Sequence, residues 1–215
     1  QHLGIPSLKF GYGGEVGSGG VYHSVYDDFY WYTHFGDTAF VYGRPLAQTG
    51  GVMVMRLADA DLLPYDYTDL SRTVHEYIGQ VEKLLDAERD STVELDREIG
   101  EGVFSATSDP EHPTIAPAVE AVPPHLDFSP LDNSADSLAR SAERYAHALG
   151  AARATDSTAL SDAVANRVNA VLIQSERRLT DQRGLPRRPW YEHELYAPGL
   201  YTGYGVKTMP AVREA

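Results

Sequence analysis

Between residues 70 and 85 the side chains Leu70, Val74, Tyr77, Ile78, Val81, Leu84 and Leu85 fall three or four apart, the spacing that lines one side of a helix and leaves the other to water. The pattern returns twice. Leu131, Leu138, Ala142, Tyr145 and Leu149 make a second stripe, which starts after Ser129-Pro130, an N-cap and first-turn pair, and runs to Gly150. Leu160, Val164, Val168, Val171, Leu172 and Leu179 make a third, opposed by Asp162, Asn166, Arg167, Asn169 and Arg177. An amphipathic helix must bury its apolar side against a neighbour. Three of them with short links predict an antiparallel bundle.

The rest of the chain is punctuated differently. Residues 1–10 read as a strand that runs into a glycine-rich loop, and a helix is expected from Arg44-Pro45 to Leu63, where Pro64 stops it. The segment YDYTD that follows is a connector and a candidate domain boundary. Pro110, Pro113, Pro117, Pro123 and Pro124 crowd the stretch 91–128, which predicts an extended surface excursion. The tail, RGLPRRPWYEHELYAPGLYTGYGVKTMP, is rich in proline, glycine and aromatics and predicts a long structured loop of the kind that carries function.

Charge narrows the partners. Eighteen basic residues against 31 acidic ones leave the chain at −13, which repels phosphate backbones and anionic lipid surfaces and argues against nucleic acid as a ligand. With no cysteine, any metal site must use histidine or carboxylate. No apolar run approaches the roughly 20 residues that span a bilayer. The opening QHLGIPSLKFGYGG lacks the order of a signal peptide, so the chain is expected to begin inside a larger protein.

The chemistry concentrates in VYHSVYDDFYW, residues 21–31, behind the glycine run GYGGEVGSGG. That run lacks the helix start and distant acid of a dinucleotide fingerprint. His23 and His34 are not at metalloprotease spacing, and His75-Glu76 has no second histidine four residues on. Two readings of His23 therefore stay open on residue chemistry alone. It is a hydrogen-bonded packing residue, or it is a zinc ligand whose companions lie outside the chain, with Asp27 holding its other ring nitrogen if the backbone turns helical after Ser24.

In order along the chain, GIPSL, VYHSVYDDFYW, HFGD, RLADADLLPYDY and GLPRRPWYEHELYAP with a later Tyr-Gly pair resemble the C-terminal part of the glutamate carboxypeptidase II group of zinc peptidases, which also contains acidic dipeptidases and the transferrin receptor. The blocks span about residues 4 to 210, and the YHS and GLPxRPxY…YAP blocks are the specific ones. The resemblance implies an α/β zinc exopeptidase segment over residues 1–63, followed by a mainly α-helical transferrin receptor-like dimerisation domain over 64–215, with 184–210 a loop returning to the active site. It implies two zinc ions in the full-length protein, one of them held by His23, and no catalytic acid or base in this chain. Tyr22 and Tyr204 would contact the C-terminal residue of a short peptide substrate. Gly203 stands where a lysine recognises a glutamate side chain in the group, leaving Lys207 as a candidate substitute. Lys9 and Gly11 stand where the group has an arginine pair, so Lys9 alone remains to grip an upstream acidic side chain. The same likeness implies a homodimer, a location outside the cytoplasm or on a membrane anchor, and an inactive chain when taken by itself. Because the receptor branch has lost peptidase activity, histidine at position 23 argues for the enzyme branch. A non-enzymatic dimerisation and binding module is the alternative.

Overall fold

The computed structural model describes residues 3–13, 21–155, 161–201 and 205–214. In chain order the helices are α1 (Phe29–Phe35), α2 (Gly43–Ala58), α3 (Tyr67–Gly100), α4 (Val103–Ala106), α5 (Ser129–Thr155), α6 (Asp162–Arg177) and α7 (Pro210–Arg213); the strands are β1 (Tyr196–Pro198) and β2 (Val206–Thr208). The described residues are thus mainly helical. They divide into two compact units that are discontinuous in sequence, one of residues 1–4, 66–159 and 177–215, the other of residues 5–65 and 160–176. No helix among the described residues is long and apolar enough to cross a membrane.

In the first unit, α3 begins where Asp66 caps it, its carboxylate accepting from the N–H groups of Thr68 and Asp69 at 3.0 and 3.2 Å. It runs 34 residues, about 50 Å at 1.5 Å per residue. Ser71, Val74, Ile78 and Val81 are buried, whereas further on Leu84 and Val93 are exposed and Leu85, Leu95 and Ile99 are half-buried, so the fully buried positions all lie in the first half of the helix. The second half carries surface ion pairs from Arg97 to Glu94 and Glu101 at 2.6 and 2.5 Å. Gly102, at φ +73, supplies the left-handed residue that ends it.

The α3 stripe packs on α5. Val74, Ile78 and Val81 meet Ala135, with Leu131 and Leu138 against them, and Leu195 and Met209 from the tail close the same cluster. The tail is therefore part of the core, not an appendage to it. Its β1 and β2 pair antiparallel, Tyr196 opposite Thr208 and Ala197 opposite Lys207, and Ala197 is fully buried. Helix α5 starts at Ser129, with the Asp127 carboxylate accepting from the Ser129 N–H at 3.0 Å. Asp127 thus takes the capping role expected of Ser129.

Several expectations need correction. Residues 91–100 continue α3 as regular helix, and only 107–128 is the extended excursion that its prolines predict. That excursion is tied to α3 by Arg89, which donates to the Pro123 carbonyl and to His125 Nε2, and by Asp96, which accepts from the Glu120 N–H at 3.3 Å. The three stripes do not form a single three-helix bundle, because α6 groups with residues 5–65. Within that second unit Asn169, read as part of a solvated face, clamps the chain after α2, accepting from the Leu63 N–H at 2.9 Å and donating to the Asp61 carbonyl at 2.8 Å.

The α/β character expected of residues 1–63 does not appear among the described residues. Residues 5–13 carry no strand, and the regular elements of the segment are α1 and α2. A strand requires a neighbour to complete its ladder of hydrogen bonds; the ladder that the described residues form is β1 with β2. Helix α2 includes Pro45 in its first turn, as expected, but ends at Ala58, ahead of Pro64.

Candidate functional site

In the second unit, residues 21–37 fold as a turn followed by α1. The Ser24 N–H donates to the Val21 carbonyl at 2.9 Å, and His23 is the third residue of that turn, with φ +63. A side chain larger than glycine adopts this left-handed backbone at a cost of about 1–3 kcal/mol, and such residues gather at functional sites. The His23 ring is exposed and lies 4.0 Å from the Tyr22 ring, centroid to centroid, tilted by 30°. Tyr22 is itself 65% exposed.

The helix that follows starts at Phe29, not directly after Ser24. Asp28, whose carboxylate accepts from the Trp31 N–H at 2.8 Å, caps it. Asp27 is exposed and its N–H returns to the Ser24 carbonyl at 3.2 Å. The helical turn on which its pairing with His23 was premised is therefore absent. Lys9 is exposed in the irregular segment 5–13.

Asp37, at the end of HFGD, organises the start of α2. It is only 8% exposed, and its Oδ2 accepts from the N–H groups of Tyr42 and Gly43 at 3.0 and 2.7 Å and from the Tyr32 hydroxyl at 3.2 Å. Burial pushes this carboxyl up, but the donors converging on it outweigh burial and hold it below the usual carboxylate range. The Tyr32 hydroxyl is displaced upward, by burial first and by the Asp37 charge next.

In the first unit, the tail places Lys207 on β2, where its Nζ lies 3.4 Å from Glu214 Oε1. The same oxygen pairs with Arg188 at 2.7 Å, the two side chains being 5% and 2% exposed. Arg188 also donates to the Pro198 carbonyl and lies 5.6 Å from the centre of the Tyr191 ring. His193, fully buried, stacks on Tyr196 at 4.3 Å. Arg188 and His193 come from the block GLPRRPWYEHELYAP, whose composition marked it as special without revealing that these two side chains are buried. Gly184 opens the block at φ +70, where a Cβ would lie 2.2 Å from the Pro189 carbonyl oxygen. Tyr204 lies outside the described residues.

The second unit brings Tyr22 and His23 into ring contact and keeps Lys9 and Asp27 at its surface, while Lys207 belongs to the first unit. As a zinc donor, His23 offers one exposed imidazole. No group of three or more His, Asp or Glu side chains that could hold a metal gathers among the described residues. A zinc centre needs three or four protein ligands, so the described residues do not by themselves fit one.

Residues 126–215, spanning α5, α6 and the tail, match the transferrin receptor-like dimerisation domain family. Over its whole length the chain is 30% identical to a probable glutamate carboxypeptidase of Arabidopsis thaliana, 27% identical to one of Arthroderma benhamiae and 24% identical to a second from Arabidopsis thaliana. Each alignment covers 100% of this chain and 25% of the relative, so the chain spans a quarter of the length of these proteins. The resemblance to the glutamate carboxypeptidase and transferrin receptor-like group, read from ordered sequence blocks, thus holds across the chain.

Proposed function

We propose that the chain is the C-terminal portion of a zinc-dependent carboxypeptidase or dipeptidase that releases the last residue of short peptides. Residues 1–63 would belong to its α/β peptidase domain, and residues 64–215 would form its homodimerisation domain. The observation that carries the reading is His23, an exposed imidazole fixed on a left-handed backbone within the motif shared with the group. In this reading His23 is one ligand of a two-zinc centre whose other ligands and general base are contributed from outside this chain. Tyr22 and Tyr204 offer phenolic hydroxyls to a substrate carboxylate without adding a charge that must be desolvated, and Lys9 and Lys207 are the candidate cationic contacts. Lys207 already pairs with Glu214, so a substrate carboxylate must compete for it, and strict preference for C-terminal glutamate is not expected. The reading carries the resemblance's location outside the cytoplasm with it.

The full-length protein, purified with zinc, should release the C-terminal residue from N-acylated dipeptides and lose that activity to a chelator. The 215-residue chain alone should release none. A chelator-insensitive activity, or turnover by the chain alone, would contradict the proposal. A second reading, a dimerisation and binding module without catalysis, is favoured by α6, where Val171 and Ile173 are 70% and 41% exposed on a helix within the dimerisation-domain match. Both readings expect a dimer by sedimentation, and the peptide assay separates them: a dimeric full-length protein without hydrolysis selects the module.

A further inference from the structure

The first unit contains an open depression of about 930 Å³ bordered by Arg178, Arg183 and Arg187, with Asp181 and Glu194 among its other walls. We propose that it binds a small polyvalent oxyanion, a di- or tricarboxylate or a phosphate, through these three guanidinium groups. Three features support it.

The first is charge. Three cations face two carboxylates, leaving the depression net positive in a chain whose total is −13. Asp181 does not extinguish Arg183 but orients it: Nε donates to both carboxylate oxygens at 3.1 and 2.9 Å and Nη2 donates to Oδ2 at 2.5 Å, which fixes the planar group with Nη1 outside that pairing. Neither Arg178 nor Arg187 is in an ion pair among the described residues. Burial, and then the Asp181 charge, push the Glu194 carboxyl up, and the Arg183 charge opposes them.

The second is backbone geometry. Leu185 to Arg188 form a turn closed by the Arg188 N–H on the Leu185 carbonyl at 3.0 Å, with Pro186 second and Arg187 third at φ +62. A positive φ at the third position of such a turn belongs to glycine. Arginine there is strained, and residues strained in this way gather at functional sites.

The third is ligand chemistry. Guanidinium is a planar fork of donors that matches carboxylate and phosphate oxygens in pairs. An open depression also admits a solvated anion without desolvating it fully.

The test is calorimetric titration of the full chain with citrate and, separately, with inorganic phosphate, at constant ionic strength set with sodium chloride. Saturable one-to-one binding of either anion is expected, and the tighter of the two assigns carboxylate or phosphate. Arg187→Gly should weaken that binding about tenfold, the loss of one charge-assisted contact, while raising the unfolding temperature by about 2–4 °C through relief of the left-handed strain. Arg178→Gln, a change at an exposed position, should weaken binding by a similar factor with no change in unfolding temperature. Heats that do not saturate for both anions, or variants that bind as tightly as the parent chain, would overturn the proposal.

Discussion

His75 shows how a single ring joins two helices. Its Nδ1 meets the Ser71 carbonyl at 2.8 Å and its Nε2 meets Asp136 of α5 at 3.1 Å. Both partners are acceptors, so the ring satisfies both only when doubly protonated. The Ser71 carbonyl first, and then Asp136, raise its pKa above the usual histidine value. The sign follows from linkage: the clasp contributes fully below about pH 6.5, the unperturbed value, and is lost as pH rises through the raised one. With both groups more than a third exposed, its worth is under about 1 kcal/mol. NMR titration should place His75 above the unperturbed value, and Asp136→Asn should return it downward and flatten the pH dependence of stability; an unchanged titration would show that the contact does not persist in solution. A larger effect belongs to Glu214. Its removal by Glu214→Ala leaves Arg188 buried without its counter-charge, and denaturant unfolding should register a loss of about 3–5 kcal/mol. A loss below about 1 kcal/mol would mean that the pair is solvated.

At the scale of elements, α3 is two helices in energetic terms. Up to Val81 it is anchored on α5 and the tail; beyond it no residue is fully buried, and the helix is tied by the Arg89 and Asp96 contacts to the excursion and by surface ion pairs. Ile78→Ala should therefore cost about 2–5 kcal/mol, whereas Val93→Ala should stay within about 0.5 kcal/mol. Equal costs in equilibrium unfolding would contradict this division. The first half was legible because its period-3.6 stripe is a burial pattern. Residues 91–100 were not, because none of their side chains is fully buried and their charges resemble those of a loop. The α5 stripe was legible for the same reason as the start of α3. The role of Asn169 was hidden, since a polar residue opposite a stripe reads as solvated until its long-range partners, Asp61 and Leu63, are known. In the tail, aromatic and proline content announced structure, while the burial of Arg188 and His193 depended on neighbours that no local pattern encodes.

Taken whole, the chain distributes its burial unevenly. The first unit has a defined apolar cluster. In residues 5–65, by contrast, Tyr22, Tyr26, Phe29, Tyr30, Phe35 and Tyr42 are all more than 60% exposed, an accumulation of aromatic surface that marks an interaction face in soluble proteins. In the proposed peptidase that face is covered by the rest of the α/β domain, which would also supply the ladder that residues 5–13 lack. The strand expected there is accordingly not seen among the described residues, because a strand's existence is a property of its neighbours. The His23 motif, in contrast, was legible as chemistry from its residues and as a ligand only through resemblance. The most direct measurement is the zinc content of the full-length protein and of its His23→Ala variant by mass spectrometry, after dialysis against metal-free buffer. Two zinc ions per subunit, falling to one or fewer in the variant while the dimer and its helicity persist, is the expected result; equal zinc in both proteins would contradict metal coordination by His23.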